Sequence, residues 1–253
     1  MKPIKSYRIW FTQRSGSTLL CKALESTGVA GKPGEFFTLM GEEKSLYEKH
    51  EVSTYEALKQ TLWKLGTTSN GVFGLKHAMH NARYQRIFNE VAQLQEYTGT
   101  NHEEIWEDIF PNCKHIFLTR RNKVRQIVSW WKAIQDQIWH LEHDKHHRND
   151  ETCYEERYDV AALTHLFKEI VMMECAMQQY FSQYNITPFT VVYEDFVSDY
   201  EKTIKNIINF LEINETKLNV GKPFYSKTSD EDSEKWVERF RKDIQSTFGE
   251  IVY

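Results

Sequence analysis

The sequence predicts an α/β fold built on a parallel sheet, and two patterns lead to that prediction. Four short runs rich in β-branched and aromatic residues lie along the chain, and each is followed by a helical pattern. Strands that alternate with helices in this way form parallel sheets with right-handed crossovers. The run over 115–119 is continuously apolar, which is typical of a strand buried on both faces of such a sheet.

The first predicted strand and the helix after it have the clearest signals. The strand covers 7–12 and is rich in aromatic and other β-prone residues. The helix that follows has an apolar face formed by Leu19, Leu20, Ala23 and Leu24. Gly28 is expected to end this helix, because glycine readily adopts the left-handed conformation found just past helix ends. Residues 29–41 contain Pro33 and three glycines and are predicted to form a loop.

The rest of the chain continues the alternation of helices and strands. The remaining predicted elements are a helix over 55–65, a strand over 71–75 closed by Lys76, a variable helical stretch to about 110, a strand over 115–119, a helix over 122–147, a helix over 161–184, a strand over 189–193, a helix with Ile204, Ile207, Ile208 and Leu211 on one face, and a final amphipathic helix with Trp236, Val237 and Phe240. Ligands of parallel sheets bind outside the carboxyl ends of the strands. We therefore expect the functional residues directly after the four predicted strands.

Composition and charge exclude several classes of protein. The chain is 40% hydrophobic, which is too much for a disordered or collagen-like chain. No run of about 18 apolar residues occurs, so we expect no integral membrane segment. The net charge of −4 argues against a nucleic-acid partner, because domains that bind nucleic acids are usually strongly basic. The length of 253 residues suits a single domain over 1–253.

The cysteines and the N-terminus indicate a cytoplasmic protein. The 4 cysteines are widely spaced and form no C-x-x-C pair, which is typical of a reduced compartment. Arg8 interrupts the apolar stretch near the N-terminus, so no secretory signal is expected. Because the chain has 7 tryptophans, we expect some of them on the surface, where they can form the interface of a homodimer.

The loop over 14–18 has the features of an anion-binding site. It joins the first predicted strand to a helix N-terminus, where backbone N–H groups and the helix dipole favour negative charge. Gly16 lets the backbone turn toward an anion, and Arg14 can pair with phosphate oxygens. Further donors are the hydroxyl groups of Ser15, Ser17 and Thr18. The loop lacks the Walker pattern G-x-x-x-x-G-K-[ST], so a Mg²⁺-bound triphosphate is not indicated. In the alternative interpretation, Ser17 is a helix cap and Gly16 a simple turn.

A second cationic cluster follows the predicted strand over 115–119. Its members surround Ser129 and are Arg120, Arg121, Lys123, Arg125 and Lys132. Arg125 and Ser129 lie one helical turn apart and share a helix face, where a second phosphate can bind. Two separated anion sites suit a nucleotide that carries phosphates at two positions of its ribose. The alternative interpretation is a solvent-exposed basic face.

Ordered sequence blocks across nearly the whole chain resemble the trehalose 2-sulfotransferase family of bacterial carbohydrate sulfotransferases. The blocks are RSGSTLLC over 14–21, GVAGKPGEFF over 28–37, VFGLK over 72–76, RRNKV over 120–124, VSWWKA over 128–133, YED over 193–195 and EKWVERF over 234–240. Several blocks in order at comparable spacing are far more specific than the loop alone. Residues 42–70 and 83–113 contribute little to the resemblance.

The resemblance implies a P-loop-like, three-layer α/β fold with a central, mainly parallel sheet flanked by helices. It also implies 3′-phosphoadenosine 5′-phosphosulfate (PAPS) as the sulfonate donor and a hydroxyl of a carbohydrate or glycolipid as the acceptor. By position, residues 14–18 would hold the 5′-phosphosulfate. Arg121 and Ser129, eight residues apart as in sulfotransferases generally, would hold the 3′-phosphate. Gly34 departs from the family block, which often has Gln or another residue there, and this departure points to a different acceptor pocket.

Glu35 is the residue that the resemblance implies as general base. The acceptor hydroxyl must lose its proton as it attacks sulfur in line, and a positioned carboxylate contributes about 10²–10⁴-fold to such a step. Charge also develops on the oxygen between sulfur and phosphorus, where Arg14 and Lys76 are the expected stabilising cations. We expect no metal, because these groups can carry the reaction. The alternatives place Glu35 in the first turn of a helix and make His77 or His80 the base.

Two other functions and one other site fit parts of the pattern. A nucleotide-dependent phosphotransferase on a P-loop-like fold would require a Walker lysine, and this sequence lacks one. The presence of Glu35 and of both cationic clusters weighs against a catalytically decayed nucleotide-binding module. His140, His143 and His147 share one helical face, as metal ligands can. The polar residues beside them are more typical of a helix end that runs into a loop.

Overall fold

The core of the protein is a four-stranded parallel sheet. The computed structural model describes residues 2–39, 45–78, 81–96, 98–99, 101–139, 157–214, 218–223 and 231–248. Its strands are β1 (Lys5–Phe11), β2 (Val72–Ala78), β3 (Cys113–Thr119) and β4 (Phe189–Val192). They lie in the order β2–β1–β3–β4, and each neighbouring pair is parallel. Because β1 lies between β2 and β3, the loop after β1 is flanked by the carboxyl ends of both neighbours.

Helices connect the strands and cover the sheet. Those in the described ranges are α1 (Ser17–Ser26), α2 (Leu46–His50), α3 (Tyr55–Gly66), α4 (Asn81–Leu94), α5 (His102–Glu107), α6 (Lys123–Asp136), α7 (Val160–Gln183), α8 (Tyr193–Ser198), α9 (Tyr200–Phe210) and α10 (Glu231–Phe248). Every parallel strand pair requires such a crossover, since the chain must return to the same edge before it starts the next strand. The predicted parallel α/β architecture is therefore confirmed.

The alternation of side chains along β1 separates the two faces of the sheet. Tyr7, Ile9 and Phe11 pack against the apolar faces of α1 and α9. Trp10 points to the opposite face, where it joins a core formed with α3, α4, α5 and α7. Successive strand side chains point to opposite faces, so one strand supplies both cores. The result is three layers, with the sheet in the middle.

A third apolar cluster fixes the C-terminal helix. Trp236, Val237 and Phe240 of α10 are buried against α6 and α7. The final amphipathic helix is therefore confirmed, and so is the apolar face of α1, in which Leu20, Ala23 and Leu24 are buried. α10 packs directly against α6, and α6 carries part of the site described below.

Several predicted boundaries are wrong. β2 continues through Lys76 to Ala78, because Phe11 of β1 still pairs with Ala78 there. The helix predicted over 122–147 ends at Asp136, and Gln137 adopts a left-handed φ of 55°. The predicted stretch to about 110 is two helices, α4 and α5. The short helices α2 and α8 were not predicted, since five or six residues are too few for a 3.6-residue period to show.

Two further findings concern the limits of the described ranges. His80 and the histidines at 140, 143 and 147 lie outside the described residues. Among the helices that the structure describes, none is both long enough and apolar enough to cross a membrane.

Candidate functional site

The loop between β1 and α1 places an uncapped helix N-terminus at the carboxyl edge of the sheet. Arg14 and Gly16 have left-handed φ values of 59° and 90°, which turn the chain sharply into α1. Gly16 is the N-cap residue and has no side chain to accept from the first amides of the helix. Ser17 is the first helical residue, so its interpretation as a cap is wrong. The Ser15 side chain is fully buried, and its Oγ has no hydrogen-bond partner. Free amides together with an unpaired buried hydroxyl suit an anion.

Tyr193 closes over this loop from the end of β4. A Cβ atom on Gly16 would lie 2.4 Å from Cδ2 of Tyr193, so only glycine fits beneath the ring. The guanidinium carbon of Arg120 lies 4.8 Å from the centre of the same ring, and Arg120 donates to the carbonyl of Arg14 at 3.3 Å. Residues after β1, β3 and β4 are thereby held together.

Arg14 joins the two predicted anion sites. Its Nε donates to Oγ of Ser129 on α6 at 2.9 Å, and a second nitrogen donates to the carbonyl of Trp139. Burial, with a smaller contribution from the positive charge of Arg120, lowers the pKa of Arg14 to about 10. Arg14 therefore remains charged at neutral pH. The sequence spacing assigns Ser129 to the second anion site. In the fold, its hydroxyl instead contacts Arg14 of the first anion site.

Arg121 is held at the surface by an acidic partner. Its guanidinium pairs with Asp195 of α8 at 2.7 Å, and both side chains are more than 60% exposed. The hydrogen bond that Arg121 donates to Asp195, followed by the negative charge of that carboxylate, raises the pKa of Arg121. The carboxylate of Glu194 accepts from the backbone N–H groups of Arg121 and Asn122, at 2.9 and 3.1 Å. The YED block after β4 thus anchors the chain where it enters α6.

The other cations of the second cluster also have partners in the fold. Lys123 pairs with Glu174 of α7 at 2.7 Å, and Arg125 pairs with Glu234 of α10 at 2.6 Å. Lys132 donates to the hydroxyl of Ser233 at 3.0 Å. These contacts tie α6 to α7 and α10. The interpretation as a solvated basic face fits the exposed side chains of Arg121 and Arg125 but not Lys132, which is buried.

Lys76 is in direct contact both with Glu35, the predicted general base, and with Thr18 of the predicted anion site. Nζ of Lys76 lies 2.7 Å from Oε1 of Glu35 and 3.1 Å from Oγ1 of Thr18 in α1. Oε2 of Glu35 accepts from the Thr38 hydroxyl at 3.2 Å. The Lys76 side chain is 10% exposed and that of Glu35 is 36% exposed, so the carboxylate can be reached from solvent.

The backbone explains why Glu35 lies beside Lys76. The amide of Lys76 donates to the carbonyl of Gly34 at 3.0 Å, and Gly34 forms an isolated parallel bridge with Leu75. Glu35 is not in a helix, so the alternative that places it in the first turn of one is wrong. The loop after Gly34 instead runs alongside the end of β2.

His77 points away from this site. It follows Lys76 on β2, and successive side chains of a strand face opposite sides. Its ring is buried and stacks between Trp10 and Phe37. Burial, and to a lesser extent the positive charge of Arg8, lowers the pKa of His77 to about 3. His77 is therefore not placed to serve as the base.

Sequence reasoning missed two kinds of residue at this edge. Gln126 of α6 is fully buried and donates to Oγ1 of Thr12 at 2.8 Å and to the carbonyl of Gln13 at 2.7 Å. A glutamine among polar helix residues gives no sequence signal of such burial. Tyr193 and Glu194 had a usable signal, since they directly follow a strand, but no role was assigned to them.

Among the described residues, no group of three or more His, Cys, Asp or Glu side chains is arranged to hold a metal.

Comparison with known proteins places this geometry in a family. The Stf0 sulphotransferase family model matches residues 6–243. The chain is 26% identical to a trehalose 2-sulfotransferase of Mycolicibacterium smegmatis, and 24% identical to one of Mycobacterium tuberculosis. Each alignment covers 95% of this chain and 96% of the relative. A sulfotransferase structure from Alicyclobacillus acidocaldarius superposes with a TM-score of 0.48 at 12% identity, covering 100% of this chain and 98% of the other.

The family match spans nearly the whole chain, from β1 to α10. It includes the strand–loop–helix unit around Gly16, the Glu35–Lys76 contact and α6 with Ser129. The chain therefore belongs to the Stf0 sulphotransferase family and is a sulfotransferase.

Proposed function

We propose that the protein transfers a sulfonate group from PAPS to a hydroxyl of a carbohydrate or glycolipid, with Glu35 as general base. The observation that carries the proposal is the position of Lys76, which contacts Glu35 and Thr18 at once. One lysine thereby bridges a partly exposed carboxylate and the N-terminus of α1. The relatives named trehalose 2-sulfotransferase support a sugar acceptor and make trehalose the first acceptor to test.

The donor fits the two anion sites. The free amides at the start of α1, the unpaired Ser15 hydroxyl and Thr18 would bind the 5′-phosphosulfate. Ser129 and Arg121 would bind the 3′-phosphate, and Arg121 would exchange Asp195 for that phosphate. Arg14 already contacts Ser129, so it would lie between the two phosphate groups of the donor. PAPS supplies the activated sulfonate in this arrangement.

The contacts around Glu35 suggest how transfer would proceed. Glu35 would take the proton of the acceptor hydroxyl while the acceptor oxygen forms its bond to sulfur. The bond between sulfur and the phosphate oxygen would break in line, which leaves a sulfate ester and adenosine 3′,5′-bisphosphate. Lys76 would lose its carboxylate partner as Glu35 becomes neutral, and its charge would then be available to the phosphate oxygen. Arg14 would stabilise the same developing charge.

The alternatives from the sequence have less support. A nucleotide-dependent phosphotransferase is not favoured, because the family is one of sulfotransferases and the loop lacks a Walker lysine. The close contact between Glu35 and Lys76 also weighs against a catalytically decayed nucleotide-binding module. Loss of catalysis would remove the need to keep a lysine against a half-exposed carboxylate.

The proposal is tested by transfer from ³⁵S-labelled PAPS to trehalose and to a panel of other disaccharides and glycolipids. Glu35→Gln should lower turnover by about 10²–10⁴-fold. Its Kd for adenosine 3′,5′-bisphosphate should stay within a few-fold of the wild type. Glu201→Gln, at an exposed glutamate of α9, is the matched control and should keep full activity.

Two outcomes would contradict the proposal. Unchanged turnover in Glu35→Gln would remove Glu35 as the base. Failure of the wild type to bind adenosine 3′,5′-bisphosphate more tightly than ADP would remove PAPS as the donor. Transfer should also be unaffected by EDTA, and strong inhibition by EDTA would show that a metal takes part.

A further inference from the structure

The short helix α2 lies against the segment that carries Glu35, which we call the Glu35 loop (residues 34–39). Nε2 of His50 lies 2.8 Å from the carbonyl oxygen of Phe36. Nζ of Lys49 donates to the carbonyl of Thr38. Both side chains come from the last turn of α2, and both act on backbone atoms of the loop. We propose that His50 and Lys49 are positioning residues that hold Glu35 in place for proton transfer, an inference that rests on the proposed role of Glu35.

The Glu35 loop has few hydrogen bonds of its own. Within it, the Thr38 amide donates to the Glu35 carbonyl at 3.3 Å and the Thr38 hydroxyl donates to Oε2 of Glu35 at 3.2 Å, and both bonds are long. On the N-terminal side, the Gly34 carbonyl is fixed to β2 by the amide of Lys76. On the C-terminal side, the carbonyls of Phe36 and Thr38 are bound by α2. The carboxylate of Glu35 therefore lies between an anchor on the sheet and an anchor on α2.

α2 is itself fixed to the core, so it can serve as an anchor. Leu46 is fully buried in the large apolar cluster. The amide of Leu46 donates to Oε1 of Glu90 in α4 at 2.6 Å. Ser45 caps the helix by accepting from the Glu48 amide at 3.1 Å. A helix held at its start by the core and by α4 presents the side chains of its last turn in a defined position.

The contact predicts an effect on turnover without an effect on donor binding. The contacts that His50 and Lys49 make with the loop go to backbone carbonyls, not to the Glu35 carboxylate or to the residues that bind the nucleotide in the proposed function. Loss of one such hydrogen bond would let the loop leave the position in which Glu35 faces the acceptor. From the usual net strength of a hydrogen bond, kcat should fall by about 2- to 10-fold per contact removed.

The experiment compares His50→Ala, His50→Gln and Lys49→Met with the wild type. Amide hydrogen exchange of residues 35–39 reports the position of the loop, and kcat is measured with labelled PAPS and trehalose. His50→Ala should speed exchange in the loop and lower kcat, with the Kd for adenosine 3′,5′-bisphosphate unchanged. His50→Gln keeps a donor at nearly the same place and should restore both values. His165→Ala, at an exposed histidine of α7, is the matched control.

The outcomes separate this inference from the proposed function. Unchanged exchange over 35–39 in both His50→Ala and Lys49→Met would overturn the positioning role, even if Glu35→Gln is inactive. Equal loss in His50→Ala and His50→Gln would also overturn it, because a lost donor would then not be the cause. Wild-type turnover in Glu35→Gln would instead refute the proposed base, and the exchange data would still decide whether α2 holds the loop.

Discussion

Lys76 is the residue at which the two halves of the candidate site meet. Its amide donates to the carbonyl of Gly34, and its ammonium nitrogen lies 2.7 Å from Glu35, 3.1 Å from Thr18 and 4.8 Å from the centre of the Phe11 ring. The sequence predicted Lys76 as the end of a strand, facing solvent or a phosphate. In the fold the strand continues, and continued pairing with β1 is what directs the side chain between the two predicted groups.

At Arg121, the prediction concerns selectivity for a 3′-phosphate. Arg121→Ala should weaken binding of adenosine 3′,5′-bisphosphate by about 10- to 100-fold, the usual strength of a charge-assisted hydrogen bond. Binding of ADP, which has no 3′-phosphate, should change little. Isothermal titration of both nucleotides measures the difference.

Asp195→Ala is the matched variant for this prediction. It removes the partner that Arg121 would have to leave, so it should bind adenosine 3′,5′-bisphosphate at least as tightly as the wild type. Equal loss of both nucleotides in Arg121→Ala would refute the assignment of the 3′-phosphate to this residue.

At Gly16, the prediction concerns stability. Gly16→Ala and Gly28→Ala both place a side chain on a left-handed residue, with φ of 90° and 71°. That conformation costs an alanine about 1–2 kcal/mol. Only Gly16→Ala would also drive a Cβ to 2.4 Å from the Tyr193 ring, while nothing lies within 4 Å of the Cβ at Gly28. Gly16→Ala should therefore lower the free energy of unfolding by about 1–3 kcal/mol more than Gly28→Ala.

Urea denaturation of the two variants tests this prediction. Equal losses would mean that Tyr193 moves aside without cost, and that the close approach to Gly16 does not hold the loop.

At the scale of elements, the entry into α6 depends on a residue from another part of the chain. Glu194 begins α8 and accepts from the amides of Arg121 and Asn122, just before α6 starts. Burial opposes its charge, but these two backbone hydrogen bonds lower the pKa of Glu194. Asn122 completes the start of the helix, because its side chain accepts from the amide of Arg125. One carboxylate and one cap thus set the direction of the helix that carries Ser129.

Removal of the Glu194 carboxylate should destabilise the protein. Glu194→Ala leaves two amides without their acceptor, and we expect a loss of about 1–3 kcal/mol in the free energy of unfolding. Glu194→Gln keeps one acceptor oxygen and should lose less. Glu201→Ala, on the exposed face of α9, is the control and should change stability by under about 0.5 kcal/mol. If Glu194→Ala matches Glu201→Ala in urea denaturation, the anchor at α6 contributes nothing.

At the scale of the whole molecule, a buried polar network lies on the face of the sheet opposite α1. Arg8 is fully buried, its guanidinium lies 3.0 Å from Glu103 of α5, and it stacks 4.3 Å from the Trp10 ring. Trp10 donates to Nδ1 of His115 at 2.9 Å. Burial, with the Arg8 charge as the next cause, lowers the pKa of His115 to about 4 and that of His77 to about 3.

These two histidines predict acid sensitivity. In the unfolded chain each has a pKa near 6.5 and takes up a proton below it, whereas in the fold each stays neutral until about pH 4 or 3. The contribution of the two neutral histidines to the free energy of unfolding is therefore fully present above about pH 6.5. It is lost as the pH falls toward 4. At pH 5 the loss should be roughly 2 kcal/mol per histidine.

His77→Phe should remove about half of that loss between pH 7 and pH 5, since phenylalanine suits the aromatic stack and takes up no proton. Urea denaturation at both pH values measures it. His165→Ala, at an exposed histidine, should leave the difference unchanged. An unaltered pH dependence in His77→Phe would show that His77 takes up its proton in the folded state.

Arg8 shows why part of the fold could not be predicted. In the sequence it is a charge that interrupts an apolar stretch, and it served only to argue against a secretory signal. In the structure it lies at the centre of the sheet, because Glu103 and four aromatic rings surround it. Those partners are 2 to 172 residues away along the chain, so no local pattern could indicate them. The homodimer, the single domain and the cytoplasmic location stay predictions.

The sequence by itself determined the strands, the longer helices, the glycine turn at Gly16 and the candidates Arg14, Glu35 and Lys76. The elements, the turn and Arg14 follow from periodicity and turn chemistry, which are properties of neighbours along the chain. Glu35 follows from the resemblance of its block to the family. Only the tertiary structure decided the contacts, such as Arg14 with Ser129, 115 residues apart, and Arg121 with Asp195, 74 residues apart. A cation pairs with whatever the packing of helices brings within reach, and the local sequence does not contain that information.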